Sequence, residues 1–403
     1  MLNFNDALQI IEDEFSHLPK NIIEVNLNDS TGLKLAEAIH ADVNLPAFDN
    51  SSMDGYAIKL AGNQRTWNVI GEISAGNFKN YNIDINSAVR IMTGGRLPKE
   101  ADTVIPIEDI IEEQNKCILR DGVDIKLNQN IRFIGEDLKS GDIALTEDSL
   151  LNAQNISLAA ACGKLKLKVY RKLSIGVLAT GDELVDIAEI PGEDKVRATN
   201  LYSILAAIRE IDMNPVNLGI VKDNKELLRS SILSALESDL DILITTGGVS
   251  VGKYDYLKDI FKESGVETIF WKVNIKPGKP LFFGKYRKDN KTKLIFGLPG
   301  NPVSSFVNFV LLIKPAIQKY YNQESYNFHM ARLESPVKKT DSRRHFTRGI
   351  LKFDNASNKF TVKESGSQSS GNLAGLSSSN CLIVIPEDII NPDAGEEVTC
   401  IMI

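Results

Sequence analysis

Residues 214–248 read NPVNLGIVKDNKELLRSSILSALESDLDILITTGG. VNLGIV is a strand-length apolar run, KELLRSSILSALES carries its apolar residues at helical spacing, and DILITT is a second strand that stops at paired glycines. The same alternation starts upstream with LSIGVLAT as a strand and TNLYSILAAIREI as a helix, and it continues to about residue 321. Strands that alternate with helices predict a doubly wound, mostly parallel sheet covered by helices on both faces, here over 171–322. Such sheets bind ligands at the carboxyl ends of their strands. The loops in that position are TGDE, KDN, TGGVSVGKYDY, KPGKP and LPGNP.

The flanks follow other rules. Over 1–170, helical stretches bracket strand-like runs such as TWNVIGEI, AVRIMTGG and DTVIPIED, with Gly and Pro between them. This predicts a mixed α+β module made of two subdomains, one inserted in the other. Over 328–403 the runs HMARLESPVKKT, FTRGILKF, KFTVKES and CLIVIPED are all strand-like and predict a small β-barrel, with the Ser/Gly stretch 365–380 as a loop between strands. The expected whole is a multidomain α/β plus β protein, as befits 403 residues.

Composition narrows the partners. The chain is 43% hydrophobic and 25% charged, as in globular proteins that live in water. With 53 acidic against 46 basic residues, the net charge of -7 disfavours nucleic acid and anionic membrane as general partners, so an anionic ligand needs locally placed cations. Cys117, Cys162, Cys381 and Cys400 are scattered without a C-x-x-C pair, as are His17, His40, His329 and His345. Neither a zinc site nor a disulfide framework is indicated, which leaves oxygen ligands and magnesium as the expected metal chemistry. The N-terminal NFNDALQIIEDEF is amphipathic and acidic rather than a signal core, and no segment approaches membrane-spanning length, so a cytoplasmic location is expected.

The loop after DILITT nearly spells a nucleotide-binding P-loop: Gly247, four residues, then Gly252 and Lys253. Tyr254 stands where that motif needs a Ser or Thr hydroxyl on magnesium, and a phenol carried out on a rigid ring cannot make the same contact. Val249 likewise excludes the dinucleotide-binding glycine pattern. The features left are a strand end, glycines that permit close backbone approach, and amides open to an anion. Gly247, Gly248, Ser250 and Gly252 fit either a phosphate cradle or a tight turn that needs glycine; the loop alone does not choose, and the neighbouring loops shift the balance toward the cradle. Lys272, Lys276 and Lys279 surround a Pro-Gly turn, Asp182 and Glu183 end another strand, and Gly300, Asn301 and Pro302 open a helix.

Together FDNSSMDGYA (48–57), RIMTGG (90–95), GED (135–137), TGDEL (180–184), GGVSVG, KPGKP and GLPGNP resemble the molybdopterin molybdenumtransferase family, MoeA in bacteria and the E domain of gephyrin in animals. The motifs run in order over nearly the whole chain. The resemblance implies insertion of molybdenum from molybdate into adenylylated molybdopterin, with release of AMP and help from magnesium. It further implies a homodimer supplied by the molybdopterin adenylyltransferase. Asp54, Thr93, Asp137, Glu183, Asp223 and Asp255 match family positions and are expected to act in catalysis, with Asp54, Glu183, Asp223 and Asp255 as magnesium ligands. Lys272, Lys276, Pro299 and Pro302 match as well, and with Lys279, Gly300 and Asn301 they complete the expected substrate site.

The chain departs from the family in two places. Phe133 and Ile134 stand before GED where members carry arginines, leaving only Arg132, and Ala198 precedes TN where members often have an acid. Both bear on affinity or on the favoured anion rather than on the reaction class. Two other functions compete: the adenylyltransferase that makes the substrate, which has no need of the SSMDGYA module, and a non-catalytic scaffold on the same fold. The set of acidic and basic loop residues favours catalysis.

Overall fold

The computed structural model describes residues 1–77, 79–248, 256–289, 291–323, 326–339 and 341–403. The chain divides into two compact units: Ile22–Tyr170, and Met1–Asn21 together with Arg171–Ile403.

In the first unit the ends of the segment pair with each other. Ile22–Asn26 runs antiparallel to Lys166–Tyr170, and Ile39–His40 pairs with Ile143–Leu145 over a core that includes Leu35, Leu151 and Val169. A second layer of structure is inserted between them. The chain leaves through Asn50–Ser51 and returns through Ile131–Arg132, and these two short strands pair. Between them lies a six-stranded sheet in the order Thr103–Pro106, Gly55–Ile58, Ser87–Ile91, Thr66–Ile73, Lys116–Leu119 and Ile110–Glu113.

The second unit is built on the predicted sheet. Asn214–Val221, Ser174–Thr180, Ile242–Thr246 and Lys291–Leu298 lie side by side and parallel. Phe282–Lys288 and Glu267–Trp271 extend this sheet antiparallel, because Phe282–Lys288 forms a hairpin with Lys291–Leu298 and a short connection can join only antiparallel neighbours. One face is covered by helices Lys225–Glu237 and Tyr256–Glu263, whose Leu228, Ile232, Ile260 and Phe261 pack on Leu178, Leu243 and Ile295. Such fully buried side chains each contribute about 1.5–3 kcal/mol of transfer free energy.

Helix Phe4–Ser16 belongs with this unit rather than with the module that follows it in sequence. Asn3 caps it by accepting from the Asp6 amide at 2.8 Å, and Phe4, Ala7, Ile11 and Phe15 bury one stripe. Phe15 packs against Phe296 and Tyr320 at centroid distances of 6.3 and 6.4 Å, and Glu14 pairs with Lys285 at 2.7 Å. An apolar stripe goes wherever it finds a matching face, and sequence proximity does not decide which.

The C-terminal strands close into a five-stranded barrel. Arg344–Asp354 pairs with Lys359–Glu364 on one side and with Cys381–Ile385 on the other, and Phe328–Leu333 and Glu397–Met402 complete the circuit. Closure leaves no free edge among these strands. The Ser/Gly stretch is more ordered than a plain loop, since it contains a short helix, Leu373–Ser377, capped by Asn372. A two-residue strand, Ile275–Lys276, pairs parallel with Arg344–His345 and so joins the Lys-Pro-Gly-Lys-Pro loop to the barrel.

The ends of the parallel strands are packed backbone to backbone. Gly247 has φ +96°, its amide donates to the Leu298 carbonyl at 3.0 Å, and a Cβ placed there would lie 2.3 Å from the Thr180 carbonyl oxygen. Gly247→Ala therefore combines backbone strain with a clash against rigid backbone and should destabilise this unit by about 2–4 kcal/mol. Gly76 has φ +75° with open space where its Cβ would stand, so Gly76→Ala should cost only about 1–2 kcal/mol. Thermal melts that gave equal losses would show that the close approach at Thr180 is not what requires glycine.

Candidate active site

Three strand-end loops build the first cavity. Asn200, at the start of helix Thr199–Glu210, donates through Nδ2 to the Gly300 carbonyl at 2.8 Å, which ties that helix to the loop that opens helix Pro302–Asn308. Pro302 occupies the first turn, where its missing amide costs nothing; Pro299 is buried, while Gly300 and Asn301 are exposed. The cavity enclosed here measures about 310 Å³ and is lined by Thr180, Glu183, Ala198, Thr246, Gly300, Pro302, Gly371 and Leu373 among others. Gly247 is buried behind it and Gly248 partly exposed. Ser250, Gly252 and Asp255, which the sequence places on the same loop, lie outside the described residues, as do Lys253 and Tyr254.

Carboxylates gather around Glu183, which lines this cavity. The Asp223 amide donates to Asp182 Oδ1 at 3.1 Å, and Glu183 is close enough for its charge to act on Asp223. Burial, then the negative charges of Asp182 and Glu183, push the Asp223 carboxyl above its ordinary value. Lys222 Nζ donates to the Leu184 carbonyl at 2.9 Å, and Lys195 Nζ to that of Asp182 at the same distance. Both ammonium groups thus hold the loop through its backbone. Among the described residues no three His, Cys, Asp or Glu side chains form a ready metal cage. Glu183 and Asp223 instead fit a magnesium ion that takes one or two carboxylates and completes its shell with substrate phosphate and water.

The second cavity, about 620 Å³, lies between the Lys-Pro-Gly-Lys-Pro loop and the barrel. Lys276, Lys279, Lys338, Arg343 and Arg348 bring positive charge to it, with Ser304, Ser369 and Ser370 as neutral donors and Glu364 as the one lining carboxyl. Gly278 allows the loop its shape, since at φ +100° a Cβ would stand 2.4 Å from Asn308 Oδ1. Arg348 is 1% exposed; its guanidinium donates to the Ser367 and Ser369 carbonyls at 2.6 and 3.2 Å, while Nε has no partner. The sequence reading missed Lys338, Arg343 and Arg348 because they sit in the barrel, although the basic run RRHFTR was a visible signal. Lys272 does not line this cavity. It sits at the end of strand Glu267–Trp271 with φ +78°, its amide bonded to the Leu281 carbonyl at 2.9 Å.

Asp54, Thr93 and Asp137 belong to the other unit. Asp54 Oδ1 accepts from the Thr93 amide at 2.7 Å and from its hydroxyl at 2.8 Å, and these bonds lower the Asp54 carboxyl below its ordinary value. Asp137 is paired with Arg132, while Phe133 and Ile134 point their apolar side chains outward. Where the family has further arginines, this surface therefore offers one cation already neutralised and two exposed hydrophobes.

The strained carboxylate at Asp223 has a measurable consequence. Its value in the folded chain lies above that in the unfolded one, so the ionised form costs stability at neutral pH, and the cost fades as pH falls through the folded value. Asp223→Asn should raise the melting temperature at pH 7.5 by about 1–2 °C, a gain kept small by solvent screening, and the gain should shrink toward pH 4. A melting temperature lowered at both pH values would show that Asp223 is structural.

Three family patterns match the chain in order. The MoeA N-terminal region (domain I and II) covers residues 2–163, the probable molybdopterin binding domain 176–319, and the MoeA C-terminal region (domain IV) 330–403. The molybdopterin molybdenumtransferase of Haemophilus influenzae is 37% identical over 380 residues, covering 93% of this chain and 92% of that protein. That of Staphylococcus aureus is 33% identical over an alignment of 412, covering 98% and 94%. The crystal structure of the molybdopterin biosynthesis MoeA protein from Pyrococcus horikoshii OT3 superposes over 100% of both chains with a TM-score of 0.81 at 27% identity. Relatives matched along nearly their whole length, and a fold shared along all of it, place the chain in the MoeA family of molybdopterin molybdenumtransferases.

Proposed function

We propose that this chain transfers molybdenum from molybdate to the dithiolene sulfurs of adenylylated molybdopterin and releases AMP, in molybdenum cofactor biosynthesis. The observation that carries this reading is that two cavities of different chemistry share a wall. Pro302 with Gly371 and Leu373 lines the smaller one, and Ser304 with Ser369 and Ser370 lines the larger. The smaller cavity, with its apolar walls and the Asn200, Thr180 and Glu183 groups, suits an adenylylated pterin. The larger suits a tetrahedral oxyanion, which Lys276, Lys279 and Arg348 neutralise while the serine hydroxyls and the unpartnered Arg348 Nε orient its oxygens. The oxyanion would then stand beside the sulfurs that replace its oxygens.

Magnesium, when bound, supplies charge neutralisation at the phosphoanhydride. Glu183 and Asp223 would hold it in the second unit; Asp255, expected from the sequence to join them, lies outside the described residues, and Asp54, expected likewise, is oriented by Thr93 within the first unit. Gly247 and Gly248 let backbone come close to the phosphates. The adenylyltransferase reading is weaker, because the relatives matched along nearly their whole length carry the name molybdopterin molybdenumtransferase.

Purified protein given adenylylated molybdopterin, magnesium and molybdate should release AMP and yield active cofactor, with AMP release dependent on both metal species. Removing one cation from a sheltered anion contact costs about 1.5–3 kcal/mol, so Lys276→Ala should weaken molybdate binding tens-fold and leave the melting temperature unchanged. AMP release indifferent to magnesium and molybdate would sink the assignment. Unchanged molybdate binding in Lys276→Ala would return the cavity to an ordinary basic surface.

The family further suggests a cytoplasmic homodimer that receives its substrate from the molybdopterin adenylyltransferase. Light scattering of the purified chain should give twice the 44.5 kDa chain mass, and a single-chain mass at micromolar concentration would reject the dimer.

A further inference from the structure

The larger cavity has one acid among its cations, and that acid is unpaired. Side chains alternate along strand Lys359–Glu364, so Phe360, Val362 and Glu364 share a face. Phe360 and Val362 pack into the core of the barrel, and Glu364, the last residue of the strand, reaches the cavity wall from that same face. Its backbone stands opposite Gly349 of strand Arg344–Asp354, which brings no side chain beside it. Among the described residues the Glu364 carboxyl makes no hydrogen bond and no ion pair.

The other charged groups of the wall have different commitments. Arg348 donates to the Ser367 and Ser369 carbonyls, and Arg343 grips the Asp341 carboxylate through Nε at 3.0 Å and Nη2 at 2.7 Å. His345 Nε2 stands 3.1 Å from that same carboxylate. Neither these groups nor Lys276, Lys279 and Lys338 draw the Glu364 carboxyl down; burial alone acts on it and pushes it above its ordinary value. An acid that is half-buried and unpaired is neutralised most easily by a proton. A tetrahedral dianion in the same cavity adds charge of the same sign as the carboxylate and favours the protonated acid further.

We propose that Glu364 is a proton-carrying binding residue for the oxyanion: the tetrahedral dianion enters together with one proton from solvent, the proton settles on the Glu364 carboxylate, and the resulting acid donates it in a hydrogen bond to an oxyanion oxygen. This rests on the oxyanion reading of the same cavity. Molybdate bears no proton at neutral pH, so all of its oxygens accept, and an ionised carboxylate facing it has nothing to receive. Protonation turns that repulsion into a donor, and the cavity gains one negative charge in place of two. No bond between heavy atoms is made or broken, and the proton returns to solvent when the anion leaves.

Calorimetric titration with molybdate in buffers of different protonation enthalpy counts the protons taken up on binding. Between pH 7 and 8.5 molybdate, the lysines and the arginines keep their charge. Burial holds His345 below its ordinary value and so neutral in this window, and the Arg343 bonds keep Asp341 ionised. Glu364 is the lining group left to titrate. Wild-type protein should take up about 0.3–1 proton at pH 7.5 and lose about 3- to 15-fold in affinity between pH 7 and 8.5, since one linked proton gives at most tenfold per pH unit. Glu364→Gln, an amide that still donates, should take up none, vary less than about twofold across the window and bind more tightly than wild type at pH 8.5. Glu364→Asp, which keeps a carboxyl, should retain the uptake. Glu364→Ala should also take up none, and it serves should Glu364→Gln fail to fold. A residue that merely shaped the mouth of the barrel would change affinity by one factor at every pH. Wild-type binding without proton uptake, or uptake undiminished in folded Glu364→Gln or Glu364→Ala, overturns the proposal while leaving the oxyanion site standing. Wild-type protein that binds no molybdate removes both.

Discussion

The parallel pairing of Ile275–Lys276 with Arg344–His345 is the contact on which the larger cavity depends. It fixes a loop of the central sheet to the first strand of the barrel by backbone hydrogen bonds, whose geometry does not vary with side-chain rotamer. The Lys276 side chain thus starts from a fixed point beside His345, Asp341 and Arg343. Gly278 completes the constraint from the other side, since any side chain there would strike Asn308. Cations from segments some seventy residues apart in sequence are thereby held to one place.

Holding several cations together costs free energy unless each has somewhere to put its charge. The protein answers in two ways. Arg348, fully buried, spends its donors on the carbonyls of Ser367 and Ser369 and in doing so orders the Ser/Gly stretch that walls both cavities. Arg343, His345 and Lys276 share one carboxylate. The acidic group around Glu183, beside the smaller cavity, shows the opposite imbalance: Asp182, Glu183 and Asp223 crowd together while the nearby Lys222 and Lys195 turn to backbone carbonyls. Excess positive charge in one cavity and excess negative charge beside its neighbour are consistent with the proposed use of the first for an oxyanion and of the second for a metal-bound phosphate.

The glycine-rich loop that resembles a P-loop takes its meaning from this arrangement. Gly247 is required because three strand ends converge there, and the Thr180 carbonyl leaves no room for a Cβ. At Gly247 the likeness to a nucleotide-binding motif is a consequence of packing at a strand end, where a phosphate-binding loop meets the same steric demand; Gly252 and Lys253, which complete the likeness, lie outside the described residues.

Strand–helix alternation, the barrel strands, the strand-end loops and the run of family motifs were all legible in the residues themselves, because periodicity and turn chemistry are local properties. Glu183, Lys276, Lys279 and Pro302 could be named from those loops, and Asp223 from the family motifs. Helix Phe4–Ser16 could be recognised as a helix but not assigned to its partner, since an apolar stripe does not say which face it will meet. Lys272 was grouped with Lys276 and Lys279 by proximity in sequence, yet its left-handed backbone at the strand end takes it elsewhere. Arg348, Arg343 and Asp341 lie in the barrel, and the pairing between residues 276 and 345 that makes them neighbours of the lysines is long-range. The sequence determined which elements form and which loops carry chemistry; the tertiary structure decided which charges face one another, because that depends on pairings between distant strands that no local pattern encodes.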